Sequence, residues 1–573
     1  MAISELDIKE NTKLTNRRAF LLGGAMTLFS TALAYRMHFL QVKEASKFRM
    51  LADENRINLQ LLAPLRGRIF DRFGHPLADN RQNYRLILIP EQTGDIEIVM
   101  AELTRLVSLT ENDRDRIRRE SSRRRKFVPI TVRENLTWQE VSRIEVSSPY
   151  LPGVTIEVGE SRYYEFGAGA AHLVGYVGVV SESELAHGND ALLTLPGLRV
   201  GKSGIERLFE KELRGKAGNR QVEINAVGRV IRELDRDEGK PGYDHVLSID
   251  AHLQDYTMAR LGNKTAGSVV LDVHTGEVLA LASTPGYDPN IFTQGISQKD
   301  WDNLITNPRL PLVNKAISGQ YPPGSTFKMI VALAALEGGD VTPDHSHFCA
   351  GYINLGDTKF HCWRRGGHGK VNMESALEKS CDVYFYEVAK KIGIDRIGNM
   401  ARRFGLGEKV GVELPGEESG LVPSNTWKES LHGVSWQLGE TLIVGIGQGY
   451  LLTTPLQLAV MVARIANGGV AINPHLIRSV YRGGKLLPRT RMAAPSMNIS
   501  PSHLAIVQRG MRRVTNSPMG TAYKARIEDP KFGMSGKTGS SQVRRISQRE
   551  REEGVHKNED REWADRDHAL FVG

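Results

Sequence analysis

Three features predict an α+β fold for residues 241–573. Residues 245–250 read as a strand, and residues 266–272 and 277–283 are two short apolar runs joined across His274-Thr275-Gly276, the pattern of a hairpin. A strand-like stretch recurs at residues 537–543. Between the hairpin and this last stretch lies a helical insertion, opened by the strongly helix-forming apolar run 327–336. Strands that flank a block of helices make an α+β domain.

At 573 residues the chain exceeds one ordinary domain, and 40% hydrophobic with 25% charged residues is the composition of a folded protein. The net charge of +9 would suit nucleic acid, an anionic membrane surface or an acidic polymer. A charge-free stretch, residues 19–35, follows Arg17-Arg18 and favours the last two. Residues 1–18 are expected to form a disordered cytoplasmic tail, and 19–40 a transmembrane anchor. Ala32-Leu33-Ala34 and Arg17-Arg18 also fit a cleaved export signal, and basic residues lie on both sides of the span, so charge alone does not orient it.

Residues 42–57 read as a charged amphipathic helix and 58–61 as a strand, with a turn at Phe73-Gly74-His75-Pro76. Residues 97–145 read as helical and carry the basic run 114–126, a solvated face or a contact for acidic lipid or a partner. Residues 197–203 end in Gly-Lys-Ser, but Pro196 stands where a phosphate loop needs its first glycine, which excludes that nucleotide-binding motif.

The chemistry concentrates at Tyr321-Pro322-Pro323-Gly324-Ser325-Thr326-Phe327-Lys328. Pro322, Pro323 and Gly324 cannot sit inside a helix, so the helix begins near Ser325 and Lys328 follows one turn later on the same face. A serine hydroxyl becomes a nucleophile when a nearby neutral amine takes its proton. Ser380-Cys381-Asp382 and then Lys537-Thr538-Gly539-Ser540 follow in the chain, and Gly539 admits a substrate backbone. Ser-x-x-Lys, Ser-x-Asp or Ser-x-Asn, and Lys-Thr-Gly in this order form the signature of penicillin-recognising serine acyltransferases.

With these motifs the chain resembles a class B penicillin-binding protein of the elongation type, penicillin-binding protein 2. Residues 63–72, 162–164, 172–178 and 201–206 are similar to the motifs of that class's non-catalytic pedestal domain, and 447–450 with 454–457 are similar to its catalytic domain. Asp382, where division-type relatives usually carry Asn, favours the elongation type; Ser540 in place of Thr is a mild departure. The resemblance implies a transpeptidase fold with an antiparallel sheet and a helical subdomain over 241–573. It also implies an elongated dimerisation-type pedestal over 41–240, and further strands and a helix beyond Gly573.

The implied activity is a peptidoglycan D,D-transpeptidase that cross-links stem peptides during cell elongation and is acylated by β-lactams. Ser325 would be the nucleophile, Lys328 the general base, Ser380 the proton relay and Asp382 a positioning group. Lys537 and Thr538 would hold the terminal carboxylate and Lys537 would help keep Lys328 neutral, with the N–H groups of Ser325 and Ser540 as the oxyanion hole. The implied surroundings are the bacterial inner membrane, with the bulk in the periplasm. Implied partners are a SEDS-type (RodA-like) glycosyltransferase and an MreC-like scaffold, and no nucleic acid. A D,D-carboxypeptidase, or an inactive head that only activates a glycosyltransferase, is the alternative.

No cofactor is expected for catalysis. Cys349, Cys362, His368 and Cys381 nevertheless follow a Cys-x12-Cys-x5-His-x12-Cys spacing compatible with a structural zinc site. A Cys349–Cys362 disulfide and plain buried thiols are the rivals.

Overall fold

The structure, a computed structural model, describes residues 5–44, 57–123, 126–187, 190–195, 197–225, 230–489, 492–544, 550 and 557–573. The chain divides into two compact units, residues 1–64 with 216–240, and residues 65–215 with 241–573.

In the first unit, helix Glu5–His38 runs into a π-helical turn at Phe39–Lys43. The expected disordered tail is therefore helical from Glu5 onward: Asp7, Asn11, Thr12, Thr15 and Asn16 in 5–18 are weak helix formers, but no Gly or Pro interrupts it. Among the described residues no helix is long and apolar enough to cross a membrane. The helix expected over 42–57 falls largely on residues 45–56, outside the described residues. Strand Ile57–Leu62 pairs antiparallel with Gly218–Ile224, which pairs in turn with Val230–Asp237.

In the second unit, strand Pro76–Leu88 pairs antiparallel along most of its length with Val154–Tyr163, from Asp79 opposite Tyr163 to Leu88 opposite Val154. Helices Ile96–Leu106, Glu111–Arg123 and Trp138–Ser147 bury Met100, Leu103, Ile117 and Ile144 with Leu86 and Leu88. The stretch expected to be helical over 97–145 is thus interrupted by strand Ile130–Arg133, where Pro129 and the β-branched Ile130, Thr131 and Val132 oppose a helix. Thr137 starts the last helix with a capping box closed by Glu140.

Ile69–Phe70 and Asp244–Leu247 pair in parallel and place these strands in one seven-stranded sheet with Ile477–Arg482 and Lys485–Pro488. Beside that sheet, the fully buried Glu206 carboxylate accepts from Arg162 Nε and Arg66 Nε, each at 2.7 Å. Burial alone would push this carboxyl up, but the two guanidinium charges outweigh it and its pKa lies below the usual carboxylate value.

The helical core surrounds Lys328–Glu337, whose Met329, Ile330, Val331 and Leu333 are fully buried among Asp382–Arg403, Leu438–Gly445, Pro455–Ala466 and Pro501–Asn516. Flanking it, Ala266–Leu271 pairs with Val278–Thr284, and Lys537–Ser541 with His568–Val572. Both ladders are antiparallel, as expected, but among the described residues they stand as separate pairs rather than one sheet.

Candidate active site

The segment carrying Ser325 is a 3-10 turn, Gly324–Phe327, that passes into the α-helix at Lys328. Backbone contacts fix it from two sides. Gly324 N donates to Gly447 O at 2.8 Å, and Tyr321 and Thr453 exchange hydrogen bonds at 2.9 and 2.8 Å. Gly324 and Gly447 both lie at positive φ, 55° and 77°, and a Cβ on Gly447 would sit 2.0 Å from the Gly324 carbonyl oxygen, so a side chain cannot fit there.

Strand Lys537–Ser541 lies against this turn. A Cβ on Gly539 would meet Pro323 O at 2.9 Å and Thr326 Cγ2 at 3.0 Å, so this glycine lets the strand approach the turn. Gln448 Nε2 donates to Ser540 O at 2.9 Å and ties the strand to the 447–450 segment.

Ser380 stands at φ 54°, a left-handed conformation uncommon for a residue with a side chain and common at functional sites. Its hydroxyl is the meeting point of two buried lysines: Lys537 Nζ donates to Ser380 Oγ at 2.9 Å, and Lys328 Nζ approaches it at 3.4 Å. Lys328 Nζ also donates to Ser380 O at 2.9 Å and to Asp382 Oδ1 at 2.6 Å. Lys328 is thus paired with a carboxylate, not only neighboured by the cation of Lys537. Burial, then the charge of Lys328, pushes the Lys537 pKa well below that of a free amine, with Asp382 opposing.

All three motifs therefore converge. The sequence reading missed two residues that join them. Trp363 donates its backbone N–H to Asp382 Oδ2 at 2.8 Å and its indole N–H to Ser380 O at 3.1 Å. Thr521 shares a 2.6 Å hydroxyl contact with Thr538. Trp363 adjoins Cys362 in a segment already singled out for its cysteines, whereas no local signal marks Thr521.

Cys349, Cys362, His368 and Cys381 come together with their ligand atoms all within 4.8 Å of one another. Cys349 ends one strand, Cys362 follows another, His368 precedes a third, and Cys381 caps helix Asp382–Arg403. His368 turns Nδ1 toward Cys349 and Cys362 sulfur at 3.7 and 3.5 Å, while its Nε2 is buried without a partner. Ligands about 2.0–2.3 Å from one tetrahedral ion lie roughly 3.5–3.8 Å apart, so small shifts would close the set. All three cysteines are free thiols. A hydrogen bond from Cys381 pulls the Cys362 pKa down and drives that of Cys381 up, while burial raises that of Cys349, so of the three thiols Cys362 is the one favoured as thiolate.

Residues 266–573 match the penicillin-binding protein transpeptidase domain, and residues 61–247 the penicillin-binding protein dimerisation domain. The chain belongs to the penicillin-binding proteins. Peptidoglycan D,D-transpeptidase MrdA of Escherichia coli is 37% identical over 543 residues, covering 94% of this chain and 86% of the relative. Among solved structures, penicillin-binding protein PBP2 of Helicobacter pylori in complex with MreC superposes with a TM-score of 0.72 at 30% identity, over 85% of this chain and 90% of the other. A peptidoglycan synthase complex that coordinates polymerization and crosslinking superposes with a TM-score of 0.66 at 30% identity, over 92% of this chain and 89% of the other.

Proposed function

We propose that this penicillin-binding protein is a serine-type peptidoglycan D,D-transpeptidase of the elongation machinery, acylated by β-lactams. The observation that carries the assignment of roles is the buried network in which Lys328 and Lys537 converge on Ser380 Oγ beside the Ser325 turn. Ser325 Oγ attacks the carbonyl of the donor's penultimate D-Ala, and the N–H groups of Ser325 and Ser540 receive the developing negative charge. Lys328 takes the hydroxyl proton as a free amine. The proton that Lys328 takes from Ser325 passes to Ser380 Oγ, 3.4 Å from its Nζ and held at 2.9 Å by Lys537. Ser380 returns a proton to the leaving D-Ala, whose carboxylate Lys537 and Thr538 bind, with Thr521 bracing the Thr538 hydroxyl. An acceptor amine then takes the acyl group from Ser325. Asp382 fixes Lys328, and Trp363 fixes Asp382.

Covalent labelling by a fluorescent penicillin tests this. The wild-type chain should label, and Ser325→Ala and Lys328→Ala should not. Labelling that persists in Ser325→Ala refutes the nucleophile, and labelling that persists in Lys328→Ala removes it as the base.

The thiol and imidazole cluster is a structural zinc site in this reading, with Cys349, Cys362, His368 Nδ1 and Cys381 as ligands. A zinc ion there would supply a fixed cross-link, and the chain's own residues carry every step of the reaction. Because Cys381 lies between Ser380 and Asp382, the cluster sets the position of that loop. Freshly purified, unchelated protein should hold about one zinc per chain; metal-free protein that labels with penicillin at the same rate would end this reading.

Residues 19–40 are proposed as a single-pass anchor in the inner membrane, although their helix falls short of the length and apolarity of an ordinary span; Phe20, Leu21, Leu22, Met26, Leu28 and Phe29 are exposed on it. Release of the full chain into the soluble fraction would exclude it. The similarity to the MreC complex and to the synthase complex supports an MreC-like scaffold and a membrane glycosyltransferase as partners.

A further inference from the structure

Thr521 lies between helix Pro501–Asn516 and strand Lys537–Ser541, outside all three motifs, yet its hydroxyl is 2.6 Å from that of Thr538. The backbone brings it there. Gly520 N donates to Ser517 O at 2.8 Å and Ala522 N to Val514 O at 3.0 Å, folding the turn back over the end of the helix. A Cβ on Gly520 would stand 2.2 Å from Val514 O and 2.3 Å from Arg513 O, so a side chain cannot fit in that fold. Thr521 N approaches Glu378 O, two residues before Ser380, at 3.4 Å. The turn therefore spans the Ser380 loop and the Lys537 strand.

Thr521 is exposed even though the backbone around it is held at each residue from 520 to 522. A threonine that served only its own turn would bond its hydroxyl to nearby backbone, the usual habit of this side chain. This one faces the side chain of Thr538 instead. The two hydroxyls carry two protons, and the bond between them uses one. Neither has a second side-chain partner among the described residues, so the pair keeps a donor in reserve one residue from the buried amine of Lys537. Glu378 is paired with Arg513 Nη2 at 2.7 Å, so its negative charge is already met.

From this arrangement we infer that Thr521 binds the donor's terminal carboxylate directly, side by side with Thr538, and helps to select donors that end in a free carboxylate. A carboxylate accepts hydrogen bonds at two oxygens carried on one carbon. Two hydroxyls 2.6 Å apart offer donors at close to that spacing, and as the anion enters, the proton between them turns outward with the other. The single bond the hydroxyls give up is replaced by two to a charged acceptor, which are stronger. Thr521 is thus a contact for substrate and more than a brace for Thr538. The inference rests on the reading of the Lys537–Thr538 end as the carboxylate site.

The test measures acylation of the full chain by benzylpenicillin and by its methyl ester, and takes the ratio of the two second-order rates as the carboxylate preference. Thr521→Val keeps the shape and removes the hydroxyl; it should lower the preference about tenfold, the worth of one hydrogen bond to a charged group. Thr521→Ser should bring it back to within about threefold of wild type. The double variant Thr521→Val/Thr538→Val should lose at least about threefold more than Thr538→Val alone. A double variant no worse than Thr538→Val would make Thr521 a brace only, and an equal fall for penicillin and ester would make it a support of the turn only. Either result, like an unchanged preference, overturns the inference. If Thr538→Val itself leaves the preference intact, the carboxylate reading of that end fails, and the inference with it. Binding of diacetyl-Lys-D-Ala-D-Ala and of its C-terminal amide to Ser325→Ala gives the same preference with no acylation step. A loss of about tenfold when Thr521→Val is added there supports the contact even if Ser325 is not the nucleophile, and no loss overturns it.

Discussion

Gly447→Ala separates positioning of the nucleophile from its chemistry. The new methyl carbon would lie 2.0 Å from the Gly324 carbonyl oxygen and 2.7 Å from its carbon, where contacts below 3.0 Å are not tolerated, so the two segments must part by about 1 Å. Both are backbone, and Gly324 is itself held against Ser540, whose carbonyl oxygen would stand 2.6 Å from a Cβ on it. The displacement therefore passes to the turn that carries Ser325. A misplacement of about 1 Å costs roughly 100-fold in rate, or about 2.7 kcal/mol of transition-state stabilisation. An alanine at φ 77° adds about 1–2 kcal/mol of backbone strain.

The assay is the second-order rate of acylation by fluorescent penicillin, read beside the thermal midpoint. Gly449→Ala is the control: it shares the strain at φ 79°, but its Cβ would meet side chains that can give way, Ile443 at 3.1 Å and Val444 at 4.0 Å. Acylation should fall about 100-fold in Gly447→Ala and by less than about threefold in Gly449→Ala. Equal rates for Gly447→Ala and wild type, in a folded protein, would refute the view that this contact sets the position of Ser325.

Two further outcomes follow from buried charge. Glu206→Ala leaves the buried Arg162 guanidinium without its carboxylate, while Arg66 keeps Glu210, and should cost about 3–5 kcal/mol in chemical denaturation; a loss below about 1 kcal/mol would refute the pairing as a stabilising contact. Burial, with the nearby Lys315 charge second, lowers the His172 pKa to about 4 from 6.5, and its Nε2 is buried without a partner. In the window between these values the unfolded chain binds a proton that the folded chain refuses, so stability falls as pH drops below about 6.5 and stops falling below about 4. The loss attributable to this residue is at most about 3 kcal/mol, and it should be absent from His172→Gln, so that the stability difference between wild type and variant changes by that amount in urea titrations from pH 7 to pH 4. Parallel curves for the two proteins would show that His172 does not titrate in that range.

The sequence disclosed the catalytic segments because local chemistry marks them. Pro322-Pro323-Gly324 stops one element, the apolar run after Lys328 starts another, and Ser325 falls at the joint. The cysteine and histidine spacing was equally legible, and the four residues meet. What the sequence hid depends on contacts across long separations. Nothing near Gln448 announces that its side chain reaches Ser540, and nothing near Thr521 announces its contact with Thr538. The strand Ile130–Arg133 was masked by the charged, helix-forming sequence before it, whereas its pairing with Pro76–Leu88 is a tertiary matter. The pairing of Lys328 with Asp382 also needed coordinates, because the motif fixes which groups are present but not which of them touch.

Placing two amines around one hydroxyl, both fully withdrawn from water, has a thermodynamic consequence for the resting protein. Burial and the Lys328 charge disfavour a second cation there, with a single carboxylate opposing them, and the larger fold supplies the stability that this arrangement costs. An anionic ligand would remove part of that cost as it enters. Some of the affinity for a carboxylate is therefore stored when the chain folds, before any substrate is met.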